Sequence, residues 1–175
     1  MYKLIASLLI ASLLCACGWH LRGSTPVSNS LKSIYLSSED NYSPVRLELE
    51  QLMAIHGITL AASPAESDLQ LHIEEEIADR RTAAVGADAL TSAYELFLTV
   101  HYQMRSPEGL PVSDQSTALV TRIFNYTAEG ASSGAQEEAL LLEEMRRELA
   151  QMLLRRLSAI NQHLNSQTPK ANQAR

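Results

Sequence analysis

Cysteine is nearly missing from this chain: its two, Cys15 and Cys17, both fall within the first seventeen residues. A disulfide framework is therefore excluded for everything downstream, and stability has to come from packing. Lysine is as scarce, with Lys3, Lys32 and Lys170 the whole set, and 14 basic residues stand against 20 acidic ones for a net charge of −6. A nucleic-acid ligand wants a basic face, so the balance argues against one. The seven glycines include no phosphate-cradling motif, and no Gly-x-Ser-x-Gly elbow is present. No apolar stretch approaches the roughly 20 residues that a membrane-spanning helix requires.

The first residues read as a secretory signal. Lys3 is followed by an apolar run from Leu4 to Leu14 and then by small residues, too short to span a bilayer and suited to a signal. Lipoprotein signal peptidase takes a leucine-like residue three places before a cysteine and a small residue just before it, which Leu14, Ala16 and Cys17 supply. Cleavage before Cys15 would place bulky Leu14 at the cut. The plainer alternative, an ordinary signal cut near Ala16, leaves Cys17 as an odd exposed thiol. We therefore expect residues 1–16 to be a lipoprotein signal and Cys17 to carry S-diacylglycerol and an N-acyl chain. Several acyl chains anchor far more firmly than one, at about 0.8 kcal/mol per buried methylene. Gly18 follows where an aspartate would favour retention on the inner membrane, so export to the outer membrane is expected. Loss of Lys3 with the signal moves the charge from −6 to −7.

A 175-residue chain shorn of its signal fits one domain with a modest core. Residues 17–30 read as a polar tether, 31–164 as a single α+β domain, and 165–175 as a disordered polar tail. Leu31 to Ser38 alternates as a short strand. Ser43 and Pro44 have the form of an N-cap and first helical residue, Val45, Leu49, Leu52 and Met53 make a stripe, and Gly57 is a natural stop. From Asp68 to Ile77, Leu69, Leu71, Ile73 and Ile77 alternate against Gln70, His72, Glu74 and Glu76, a strand with one wet face. A longer strand sets Tyr94, Leu96, Leu98, Val100, Tyr102 and Met104 on one side, with Phe97 the exception. Pro107 to Pro111 turns it into a partner over Ser113 to Tyr126, where Leu119, Val120, Ile123 and Phe124 predict burial on both faces. Ser133 and Gln136 have capping-box spacing ahead of a helix carrying Leu142, Met145, Leu149, Leu153, Leu157, Ile160 and Leu164. The order β-α-β-β-β-α predicts a two-layer sandwich: a mainly antiparallel four-stranded sheet with two helices packed on one face.

Chemistry is thinly represented. The five histidines lie on different elements without ligand spacing, so no metal site and no cofactor is expected. His72 and His101 could meet across paired strands as solvated neighbours. Strict alternation puts Glu75 on the face opposite Glu74 and Glu76, which keeps the three carboxylates from converging. The few arginines carry two readings. Arg80, Arg81 and Arg122 are candidate partners for anionic lipid head groups, or they neutralise nearby glutamates on an acidic surface. The weakly apolar stretch from Thr82 to Thr91 reads as a mobile hairpin connection, or as a surface that a partner covers.

Residues 17 to 23 are Cys17, Gly18, Trp19, His20, Leu21, Arg22 and Gly23. This heptapeptide directly after a lipoprotein cut resembles the start of the LPS-assembly lipoprotein family, LptE, also called RlpB. The length, the β-α-β-β-β-α order, the run Ala93, Tyr94, Glu95 and the closing amphipathic helix agree with it. The resemblance implies an outer-membrane lipoprotein on the periplasmic side. It would plug the lumen of the β-barrel LptD as a heterodimer, assist its assembly, and help insert lipopolysaccharide into the outer leaflet, without being an enzyme. The segment from Gly86 to Ser92 departs from what binding a polyanion asks for, having no Arg or Lys.

Two classes of function follow. An interaction protein would co-purify with a large outer-membrane barrel. A periplasmic lipoprotein enzyme or ligand binder in cell-envelope maintenance would instead show a concave pocket with convergent polar groups. The heptapeptide and the lack of a nucleophile or acid pair favour the first.

Overall fold

A computed structural model of the chain describes residues 31–126 and 131–167. The expected signal and tether, and residues 168–175, lie outside them. The elements in order are β1 (Ser33–Ser38), α1 (Pro44–Ile55), β2 (Thr59–Leu60), a 3-10 turn (Pro64–Glu66), β3 (Leu69–Val85), β4 (Thr91–Arg105), β5 (Ser116–Asn125) and α2 (Ala131–Gln167). The sheet order is β2-β1-β3-β4-β5. The α+β class holds, with five strands in place of four. β3, β4 and β5 form the expected antiparallel meander, while β1 runs parallel to β2 and to β3, because α1 returns the chain to the same end of the sheet. β2 has two exposed residues and no periodicity to announce it. Backbone bonds from Thr59 N to the Lys32 carbonyl (2.8 Å) and from Ala61 N to the Ile34 carbonyl (2.9 Å) hold it to β1.

α1 begins and ends where its sequence says. Ser43 Oγ accepts from Arg46 N and Pro44 opens the first turn, while Val45, Leu49, Leu52 and Met53 are buried. Gly57, at φ +68, takes a left-handed conformation that a side chain resists, and Ile58 N then reaches back to the Met53 carbonyl at 2.9 Å. Asp68 ties the two parallel strands at their start, its Oδ2 accepting from Lys32 N (2.7 Å) and Ser33 N (2.9 Å).

β3 departs from the alternation expected of it. The register with β4 pairs Ile73 with Tyr102 but Glu75 with His101, so Glu74 is an extra residue, a bulge. An extra residue reverses the phase of everything after it. Leu69, Leu71 and Ile73 enter the core as expected, but Ile77 moves to the uncovered face and is 39% exposed. Glu76 goes the other way, to the helix-covered side. Its side chain is 9% exposed, with Oε2 accepting from Ser43 Oγ (2.6 Å) and Val45 N (3.0 Å) and Oε1 from Arg146 Nε (3.1 Å).

The stretch from Thr82 to Thr91 is half strand and half turn. β3 continues to Val85, β4 starts at Thr91, and the turn between them closes through Gly86 N to the Leu90 carbonyl at 2.7 Å. Ala89 sits in that turn at φ 62, a region that costs a non-glycine residue about 1–2 kcal/mol. In β5 only Ala118, Val120 and Phe124 reach the core, while Leu119 and Ile123 are 50% and 65% exposed. The expected burial on both faces is therefore wrong: β5 is an edge strand with helix on one side alone.

α2 begins at Ala131, so Ser133 lies within it instead of capping it, and it continues past Leu164 to Gln167. Met145, Leu149, Leu153 and Leu157 are buried as the stripe predicts, with Leu142, Ile160 and Leu164 packed at the margin. Tyr102, fully buried at the centre, keeps its hydroxyl satisfied by Arg156 Nη1 at 2.5 Å.

Candidate interaction face

Both helices lie on one side of the sheet, so among the described residues the other side is bare, and its composition follows from the registers. Ile77, Thr99 and Leu119 stand side by side across β3, β4 and β5, and Asp79, Phe97 and Thr121 form the next row. Arg81, Glu95 and Ile123 make the row beyond. The face is thus a band of threonines and exposed apolar side chains with charges towards its rims. Sequence alternation missed it because Ile77 is out of phase until the bulge at Glu74 is known. Phe97, alone among its neighbours in not alternating, was the available signal.

The three candidate arginines do not converge. Arg80 and Arg122 flank Leu96 in one row on the helix-covered side. Arg80 Nη1 meets Glu138 Oε2 at 2.6 Å and its guanidinium lies 4.7 Å from the Tyr94 ring centre. The hydrogen bond and charge of Glu138 raise the Arg80 pKa above its ordinary value. Arg122 is held by Glu148 of the same helix. Arg81 alone is on the bare face, 4.5 Å from the Phe97 ring centre and 3.0 Å from Asp79 Oδ2. Each of the three thus meets a carboxylate of its own chain, which the neutralising reading anticipated. The family heptapeptide, Cys17 to Gly23, falls outside the described residues.

The bulge brings Glu74 and Glu75 to the same hollow, beside His101, Gln115 and Thr117. This corrects the expectation that Glu75 would part from Glu74; the Glu76 carboxylate is bonded to Ser43 and Arg146, in a neighbouring hollow that all three glutamates line. The hollow is already internally bonded: Gln115 Nε2 donates to Glu74 Oε2, and His101 Nδ1 lies 3.0 Å from Thr117 Oγ1. His72 does not face His101; it pairs with Gln103 and sits 2.9 Å from Ser37 Oγ through Nδ1. Among the described residues no three His, Cys, Asp or Glu side chains gather as a metal site would need.

Comparison with known proteins places this arrangement in a family. A family model described as lipopolysaccharide-assembly, LptE, matches residues 31–157. The LPS-assembly lipoprotein LptE of Pectobacterium atrosepticum is 27% identical over 146 residues, 83% of this chain and 78% of that protein. Its namesake in Yersinia enterocolitica is 29% identical over 146 residues, 83% of this chain and 70% of that one. Among solved structures, rare lipoprotein B from Shewanella oneidensis superposes with a TM-score of 0.69 at 18% identity, covering 77% of this chain and 99% of that one. An uncharacterized lipoprotein B from Nitrosomonas europaea gives 0.68 at 19% identity, covering 83% and 93%. At those identities the two structures support the fold alone.

Proposed function

Because the chain belongs to the LptE lipopolysaccharide-assembly family, we propose that it is an outer-membrane lipoprotein, anchored through Cys17 and facing the periplasm. It plugs an LptD-like β-barrel as a one-to-one partner, assists that barrel's assembly, and helps pass lipopolysaccharide to the outer leaflet. It acts by contact and not by catalysis. The observation that carries this reading is the bare face of the sheet. β3 and β4 have 17 and 15 residues, which at about 3.3 Å each span roughly 50 Å, more than the apolar band of an outer-membrane barrel at about 25 Å. A sheet backed by one helix layer needs a wide lumen, of the order found in barrels of about 22 strands with plugs. Thr99, Thr117 and Thr121 suit a polar lumen wall, and Ile77, Phe97, Leu119 and Ile123 gain by being covered.

Among the arginines, Arg81 is the foremost candidate contact for lipopolysaccharide phosphate, since only its competitor Asp79 must be displaced; Arg80 and Arg122 would have to leave α2. The test is an affinity pull-down of the tagged chain from detergent-solubilised outer membranes, with bound proteins identified by mass spectrometry. A stoichiometric large β-barrel is expected, and its absence would overturn the plug reading. Cys17→Ala is expected to release the chain from the membrane fraction in cells depleted of that barrel.

A further inference from the structure

Among the described residues the sheet is open along β2, along the last four residues of β1, which β2 does not reach, along β3 beyond Ile73 and along β5, and all of these but β5 are short or blunted. β2 is two residues long. β3 beyond Ile73 has lost its neighbour β1, but it carries register shifts at Glu74 and again near Ala84, and it holds Glu75, Asp79, Arg80 and Arg81. Bulges and charges are the usual means of keeping an edge from pairing. β5 has no bulge. Its register with β4 runs unbroken from Asn125 opposite Ala93 to Ser116 opposite Tyr102. It has no proline or lysine, and its one charge, Arg122, is held by Glu148 within its own chain.

Tyr126 N donates to the Ser92 carbonyl at 2.9 Å, which fixes the direction of every backbone group in this regular strand. Even-numbered residues turn N–H and C=O to β4; Thr117, Leu119, Thr121, Ile123 and Asn125 turn theirs outward. We propose that this edge pairs with the β5 edge of a second copy of the chain, antiparallel about a two-fold axis at Thr121, joining two sheets into one.

The choice of a second copy comes from the side chains. In the register centred on Thr121, every outward N–H finds an outward carbonyl, Leu119 faces Ile123 of the other copy, Thr117 faces Asn125, and Thr121 faces itself. Apolar meets apolar, polar meets polar, and no like charges are opposed. On the covered side Val120 lies opposite Arg122 and Ala118 opposite Phe124. In a chain of net charge −6, this neutral edge is where another copy can approach without repulsion. The inference does not rest on the plug reading: it uses the backbone edge of β5, although the outward residues Leu119, Thr121 and Ile123 also present their side chains on the bare face.

The test is sedimentation velocity of the full lipidated chain in a mild detergent over a concentration series. A reversible dimer is expected. Thr121→Lys, on an exposed side chain, puts two ammonium groups at the axis and is expected to raise the dimer dissociation constant about tenfold or more. Ile123→Lys should act in the same direction, while Thr99→Lys, on the central strand of the same face, should leave the dimer intact. A monomer at every concentration, or a dimer indifferent to both β5 substitutions, would each overturn the proposal.

Discussion

The Glu76 carboxylate lies 3.1 Å from Arg146 Nε, an ion pair that joins the middle of β3 to the middle of α2. Through its other oxygen the same carboxylate receives Ser43 Oγ and Val45 N at the start of α1. One side chain therefore fixes both helices to the sheet. Glu76→Ala is expected to destabilise the fold by about 2–4 kcal/mol, since it strands Arg146 and takes away the acceptor shared by Ser43 Oγ and Val45 N at the start of α1. Glu76→Gln, which retains an acceptor, should cost about half of that; denaturant unfolding of the two variants checks the order.

The bare face should separate folding from partnership. Thr99→Arg and Leu119→Glu change solvent-facing side chains and are expected to alter stability by no more than about 0.5 kcal/mol. Each should lower recovery of the barrel in a pull-down. Recovery equal to that of the unaltered chain would remove this face from the proposed contact.

The arginines divide in the same way. Arg122→Ala and Arg80→Ala each break a link to α2 and are expected to cost about 1 kcal/mol of stability; Arg80 also loses its place over Tyr94. Arg81→Ala should leave stability nearly unchanged and weaken binding of purified lipopolysaccharide. Thermal unfolding and a lipopolysaccharide-binding titration on the three variants distinguish the two kinds of effect.

Ala89 offers a gain. Glycine there relieves the φ 62 backbone and is expected to add about 1 kcal/mol, less the greater freedom of glycine in the unfolded chain. A midpoint unchanged or lowered in denaturant would contradict it.

Glu108 provides a pH test. The Ser106 hydroxyl donates to its carboxylate and lowers its pKa from the ordinary 4.5. A lowered folded pKa contributes stability above the unfolded value and loses it as pH falls through the folded one. The Glu108 side-chain NMR titration should therefore have its midpoint below 4.5, and Ser106→Ala should bring it back up.

Much of this was legible because local rules dominated locally. Ser43, Pro44 and Gly57 bound α1 by capping chemistry, and the alternation from Tyr94 to Met104, broken only at Phe97, leaves no other assignment for β4. What escaped was set by tertiary contact. The bulge at Glu74 has no sequence signature, and with it went the sides taken by Glu75, Glu76 and Ile77. The exposure of Leu119 and Ile123 depends on β5 being last in the sheet, a matter of topology and not of pattern. Ser133 has the spacing of a cap, but the helix already runs from Ala131.

The strand order also sets a sequence in time. In the exported protein proposed above, β1 would emerge first, yet the strand it must pair with, β3, begins more than thirty positions later, and α2, which seals the core, comes last. The meander from β3 to β5 closes only short loops and is expected to form first. Until it does, the membrane-proximal end of the chain has no partner to fold upon. The part of the protein nearest its expected anchor is therefore expected to be the last to become native.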